Sequence, residues 1–310
     1  MKILCLHGYG TNAAVLENQM QVFLSVADKE IEPMYLEGEI DAPKAGSEHT
    51  FAIHSNAVRL YFPPNKRNPG LSAFTKGPFF CYYSAFDPLS IKKSHEMLAE
   101  VIEEDGPFDG IVGFSQGGSL AVSYLLQHEI DHPNEAMPFK FAVIFSSIIS
   151  FTPDPSYCED IIRNLTEPEF KALSKFPEAD FSILPSGART LFECMAEALR
   201  AGQEGGFLQA HPDEDVFSRG ETDMIPRVIH PELVTTRIRI PTVHVVGKED
   251  HALMIRQSKL MYGVCDPVVA KWLVHSGGHD VPRQVGDAKA VVKAMEWAVA
   301  ESQTQVWARL

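Results

Sequence analysis

The chain has 310 residues, 45% hydrophobic and 22% charged, the proportions of an ordinary soluble globular protein. That length exceeds one average domain but suits a single α/β domain carrying insertions. With 27 basic and 41 acidic side chains the net charge is −14, a field that disfavours nucleic acid and anionic membrane surfaces as partners.

Lys2-Ile-Leu-Cys-Leu6 is apolar and runs straight into His7-Gly8. It reads as a strand, too short for a signal core. No stretch approaches the ~20 apolar residues of a membrane span. Residues 13–26 predict a helix that Thr11 or Asn12 can cap, and Glu32-Pro-Met-Tyr-Leu36 a second strand. Residues 37–87 are rich in Pro, Gly, Phe and Tyr, with Tyr61-Phe-Pro-Pro64 and Gly77-Pro-Phe-Phe-Cys-Tyr-Tyr-Ser84, and break the rhythm. Residues 88–104 predict a helix whose apolar face is Leu89, Ile91, Leu98, Val101 and Ile102. A strand at 110–114 and an apolar helix from Gly118 follow, then a strand at 139–146. Residues 150–236 form a long excursion with helices near 157–165 and 188–201. Strands at 241–246 and 271–275 and a helix at 288–300 complete the chain. Strands alternating with helices predict an α/β fold with a mainly parallel sheet covered on both faces. Residues 1–310 form one domain, with 150–236 as a lid or cap inserted on the ligand-binding edge; the competing reading is a solvated insertion packed elsewhere. The five cysteines, Cys5, Cys81, Cys158, Cys194 and Cys265, are irregularly spaced and lack Cys-x-x-Cys, so they read as free thiols of a reducing cytosol.

Gly113-Phe-Ser-Gln-Gly117 lies between the 110–114 strand and the following helix. A Gly-x-Ser-x-Gly in that setting is the nucleophile elbow of the α/β-hydrolases. A Cβ at Gly113 or Gly117 would collide with the neighbouring chain. The turn lifts Ser115 above the sheet and aims the Gln116 backbone N–H at a developing oxyanion. Ser115 needs a base, and the base an orienting acid, in the chain order Ser, Asp or Glu, His. Asp250 ends the 241–246 strand and its turn, and His279 lies in a glycine-flanked loop after 271–275. Glu249 competes for the acid and His275 for the base, while His251 reads as solvated. A metal site from Asp250, His251, His279 and Asp280 lacks ligand spacing. Leu6-His7-Gly8-Tyr9-Gly10 makes the Tyr9 backbone N–H the second oxyanion donor, with His7 steadying the turn.

Taken together, Cys5-Leu-His-Gly-Tyr9, Gly77-Pro-Phe-Phe-Cys-Tyr-Tyr83, Phe108-Asp-Gly-Ile-Val-Gly-Phe-Ser-Gln-Gly-Gly118, Gly247-Lys-Glu-Asp250 and Gly277-Gly-His-Asp-Val-Pro282 resemble the FSH family of serine hydrolases, which includes fungal esterases and polyketide thioesterases. The resemblance spans the chain except 150–236, a segment longer than a compact member would carry. It implies an α/β-hydrolase fold, no cofactor, a Ser115, Asp250 and His279 triad, and hydrolysis of esters or of thioesters on acyl carriers. Aromatic residues in 61–86 and Phe, Leu and Met residues in 181–208, Phe192 and Met195 among them, are candidates for an apolar acyl pocket, while each taken singly reads first as ordinary core. An acyl carrier protein would need a basic docking patch, for which Lys66, Arg67, Lys92 and Lys93 are candidates; the competing reading of these four is solvated surface. A non-catalytic binding protein on the same fold, and a peptidase or lyase using the same triad, are the alternatives.

Overall fold

The protein is described by a computed structural model over residues 1–27, 30–44, 77–173, 176–204 and 222–309. Tyr61 to Pro64, Lys66, Arg67, Phe207 and Leu208 therefore lie outside the described residues. Strand β1 (Lys2–Leu6) leads into helix α1 (Ala13–Ser25), capped by the Asn12 side chain, which accepts from the Val15 N–H at 2.9 Å. Strand β2 (Glu32–Leu36) carries Pro33, tolerated because β2 is a sheet edge and pairs with β1 alone. Two short strands, β3 (Ile40–Asp41) and β4 (Phe80–Cys81), pair antiparallel outside the main sheet. Helix α2 (Pro88–Asp105), strand β5 (Gly110–Phe114), helix α3 (Gln116–Asp131) and strand β6 (Phe141–Phe145) follow. Then come α4 (Glu159–Arg163), α5 (Glu167–Ala172), α6 (Ser186–Glu204), β7 (Thr242–Gly247), α7 (Ala252–Gly263), β8 (Ala270–His275) and α8 (Val285–Arg309).

The main sheet has the order β2-β1-β5-β6-β7-β8 and is parallel throughout. Because side chains alternate across a strand, neighbouring residues feed opposite cores. Ile3, Cys5, Val112, Phe114, Val143, Phe145 and Val243 pack against α1 and α8. Leu4, Leu6, Ile111, Ala142 and Ile144 face the other way, toward α2, α3 and α6. A sheet buried on both faces explains why β5 and β6 are apolar without interruption. This is the α/β-hydrolase arrangement. Among the described residues no helix is long and apolar enough to cross a membrane.

Two sequence expectations need correction, and a third is narrowed to one of its two readings. Leu89 is 55% exposed, not part of a buried face. The buried series of α2 runs through Ile91, Ser94, His95 and Leu98, at the i, i+3, i+4, i+7 spacing, and Leu89 lies two residues outside it. Ser94 and His95 belong to that face although polar, because His95 Nε2 pairs with the Ser123 hydroxyl at 2.8 Å. Helix α7 was not expected, since its buried face mixes Met254 and Met261 with Gln257 and Ser258, which dilutes the apolar period. Phe192 and Met195 do not line an open pocket. Both are 0% exposed, and Phe192 meets the Phe176 ring edge-on at 6.2 Å.

Much of segment 150–236 is thus joined to the sheet's second core through Ile162, Leu191, Phe192, Leu199 and Val228. It leaves and returns as a narrow neck. The Thr152 N–H donates to Arg227 O at 2.9 Å and the Ile229 N–H to Ser150 O at 2.8 Å. The fully buried Arg227 guanidinium donates to Pro155 O at 3.0 Å and Ile225 O at 3.2 Å, stitching the neck shut. Phe192→Ala is accordingly expected to cost about 3–5 kcal/mol of stability, as other buried aromatic truncations do. Urea unfolding checks this; an unchanged midpoint would mean the segment is not part of the core.

Candidate active site

The turn from β5 to α3 holds Ser115 at φ 53°, ψ −112°, a conformation a serine adopts only under constraint. Its N–H donates to Phe145 O at 2.9 Å and the Gly117 N–H to His7 O at 3.1 Å, so the turn is pinned to the strands on both sides. A Cβ on Gly117 would fall 2.3 Å from Leu6 O, and one on Gly113 2.5 Å from Gly117 O, distances no side chain survives. The glycines are therefore what lets the elbow close.

Four strand ends meet here. The Ser115 hydroxyl, after β5, lies 3.1 Å from His279 Nε2, in the loop after β8. His279 Nδ1 lies 2.9 Å from Asp250 Oδ2, in the turn after β7. A carboxylate only accepts, so Nδ1 carries the hydrogen and Nε2 is left to accept from Ser115. The Asp250 side chain is fully buried and His279 is 23% exposed. Burial pulls the His279 imidazole down, but the Asp250 charge and hydrogen bond, with Asp280 behind them, hold it above its ordinary value. Burial likewise pushes the Asp250 carboxyl up, and the His279 charge and hydrogen bond overcome it, leaving Asp250 below the usual range. The His279 ring rests on Phe114, with centroids 5.1 Å apart.

The competing residues are placed elsewhere. Glu249 points outward, and only its N–H engages the loop, donating to Gly277 O at 2.9 Å. His275 is buried and accepts the Gly277 N–H on Nδ1 at 3.1 Å, bracing the His279 loop from below. His251 caps α7, its Nδ1 accepting from the Leu253 N–H at 3.3 Å. The loop passes so close to β7 that a Cβ on Gly247 would sit 2.1 Å from Gly278 O.

Tyr9 stands in the turn after β1. That turn lies against the nucleophile, since a Cβ on Gly8 would be 3.4 Å from the Ser115 Cβ. Gln116 is the first residue of α3, so its N–H has no acceptor within the helix and projects from the positive end of the helix dipole. His7 serves the turn. Its Nδ1 donates to Gly8 O at 2.8 Å, its Nε2 accepts from the Gly38 N–H at 3.0 Å, and burial holds it neutral with a pKa of about 4.

Sequence reasoning missed the support around these groups. The buried Gln116 side chain accepts from the Tyr82 N–H at 3.0 Å and donates to Tyr83 O at 2.8 Å, binding the 77–84 segment to the elbow. Asp280 accepts from Gln19 Nε2 at 2.9 Å and from Arg283 Nε at 3.0 Å, anchoring the histidine loop to α1. The available signal for the second was Gln19 itself, a polar residue on the face of α1 that carries Leu16, Met20 and Phe23.

A family model described as "Serine hydrolase (FSH1)" matches residues 1–291. Esterase alnB of Emericella nidulans is 42% identical over 308 residues, covering 99% of this chain and 99% of its own. Hydrolase FUB4 of Fusarium oxysporum is 32% identical over 284 residues, covering 91% and 92%. Serine hydrolase cnsH of Penicillium expansum is 31% identical over 234 residues, covering 76% of this chain and 95% of its own.

Proposed function

The chain belongs to the FSH1 family of serine hydrolases, and from that premise we propose that it cleaves an ester or thioester of a bulky acyl substrate, such as a polyketide, through an acyl-enzyme on Ser115. The observation that carries this reading is the hydrogen-bonded chain from Ser115 Oγ through His279 to the buried Asp250 carboxylate. In the first half-reaction Ser115 Oγ attacks the acyl carbon while His279 Nε2 takes its proton. The carbonyl oxygen gains the negative charge, and the Gln116 and Tyr9 backbone N–H groups donate to it. The carbon–oxygen or carbon–sulfur bond to the leaving group then breaks, and His279 returns the proton to that group. Water repeats the sequence on the acyl-enzyme, releasing the carboxylic acid and regenerating Ser115. Asp250 stays ionised, holding the imidazole in the working tautomer and balancing its positive charge.

Segment 150–236 begins beyond the C-terminal end of β6, at the sheet edge that carries Ser115 and Asp250, which supports a role as the wall against which the acyl group binds. On the outer face of α2, Lys92 and Lys93 are exposed and Lys92 lies 3.8 Å from Glu96, the described part of the surface on which an acidic carrier would dock.

A fluorophosphonate probe is expected to label wild-type protein once, at Ser115. A panel of p-nitrophenyl esters and N-acetylcysteamine thioesters then ranks the acyl groups, with long or bulky ones favoured in kcat/KM over acetyl. No labelling together with no turnover across the panel would refute the hydrolase reading. A preference for acetyl would refute the bulky acyl group alone.

A further inference from the structure

Three non-glycine residues among those described have positive φ: Ser115, Ser146 at 42° and Cys158. Ser146 directly follows β6, the strand lying between β5, which ends at the nucleophile, and β7, whose turn carries Asp250. Serine is disfavoured in this region, and holding it there costs about 1–3 kcal/mol that neighbouring contacts must offset. The backbone is held by the Ser146 N–H, which donates to Val245 O at 2.8 Å on β7. The residue is 1% exposed, and its hydroxyl makes no hydrogen bond of regular geometry among the described residues. A buried hydroxyl without a partner calls for an explanation, and a strained one at a reactive edge more so.

We propose that Ser146 is a positioning residue whose hydroxyl donates to the Asp250 carboxylate and fixes its orientation as the His279 imidazolium forms. Asp250 Oδ2 faces His279 Nδ1 and Oδ1 accepts the His251 N–H at 2.7 Å, which leaves lone pairs for a further donor. The Ser146 hydroxyl acts on the Asp250 carboxyl in the direction of the charged form, alongside His279 and the His251 N–H and against burial. Proton transfer to His279 raises the charge on the partner of Asp250 and draws the carboxylate and its donors together, so the hydroxyl matters most in the transition state. The strained backbone at Ser146 is then the device that aims a short side chain across from β6.

This inference rests on the acyl-transfer reading of Ser115, His279 and Asp250, and its test separates the two. Ser146→Gly removes the hydroxyl and suits the positive φ, so the fold is kept; Ser146→Ala removes the hydroxyl and keeps the strain. Both are expected to lower kcat on a p-nitrophenyl ester about 5–20-fold with KM unchanged. In an Asp250→Asn background, Ser146→Gly is expected to cost less than about 2-fold, because its route runs through the carboxylate. Wild-type kcat in folded Ser146→Gly overturns the proposal, as does the same loss in both backgrounds. Full activity in Asp250→Asn itself would instead overturn the triad reading and this inference with it.

Discussion

Ser115→Ala is expected to lower kcat/KM by at least about 10⁴-fold while the protein still folds. In the proposed reaction the hydroxyl is the atom that bonds to the acyl carbon, and it stands 3.1 Å from His279 Nε2. The backbone groups that pin the elbow, Ser115 N–H on Phe145 O and Gly117 N–H on His7 O, are untouched by the substitution. Alanine tolerates the φ of 53° about as poorly as serine, so stability changes little. The Gln116 and Tyr9 N–H groups proposed as oxyanion donors remain, and residual rate above water is expected from them. Steady-state kinetics, circular dichroism and intact mass after fluorophosphonate treatment check the three parts of this expectation. Near-normal turnover in purified variant would remove Ser115 from the mechanism.

Substitutions at His279 and Asp250 should separate the proton carrier from the group that aims it. His279→Ala is expected to match Ser115→Ala, and the double variant to be no worse than the poorer single, because the two act as one unit. Asp250→Asn is expected to lose somewhat less, about 10³–10⁴-fold. The pH profile adds an independent check. Burial lowers the His279 pKa, yet Asp250 and Asp280 raise it further than burial lowers it. Only neutral His279 accepts the Ser115 proton, so kcat/KM should rise with pH through a limb lying above the ~6.5 of an ordinary imidazole. Asp250→Asn removes the dominant raising charge, and the limb should move to lower pH. A limb that stays in place would mean another group sets it. The same shifts act on stability with opposite reach. The raised His279 stabilises the fold at pH below the unfolded imidazole value, and that contribution is lost as pH climbs through its folded pKa. The lowered Asp250 stabilises above the unfolded carboxyl value and is lost as pH falls through its own folded pKa. The pair therefore contributes most between the carboxylate and imidazole ranges, in mild acid, below the expected activity limb.

Strand and helix placement was legible wherever a local pattern carried it. Strands β1, β2 and β5 fall on the expected residues because each is a short apolar run closed by Gly, Glu or a turn. The elbow was legible because its glycines and serine form a local pattern, although the demand at Gly117 comes from Leu6 O on the neighbouring strand. Helix α8 starts three residues before the expected 288 and continues nine beyond 300, since no cap signal in the sequence marks either end.

Residue type and chain order thus decided the fold class, the nucleophile and the short lists for acid and base, all of which depend on neighbours a few positions apart. Distances across the sheet decided the rest. Asp250 rather than Glu249 meets His279 because the turn after β7 buries one carboxylate and leaves the other in water. The acyl-pocket candidates Phe192 and Met195 proved to be core because α6 lays that face on the sheet's second core, a packing no periodicity within α6 can announce. The Gln116 clamp, the Asp280 anchor and the strained Ser146 are each one polar side chain in a local pattern that explains nothing about it. What such a group does is set by the partner brought to it, from 34 residues away for Tyr82 and 261 for Gln19, and only the closed sheet brings those partners within hydrogen-bond reach.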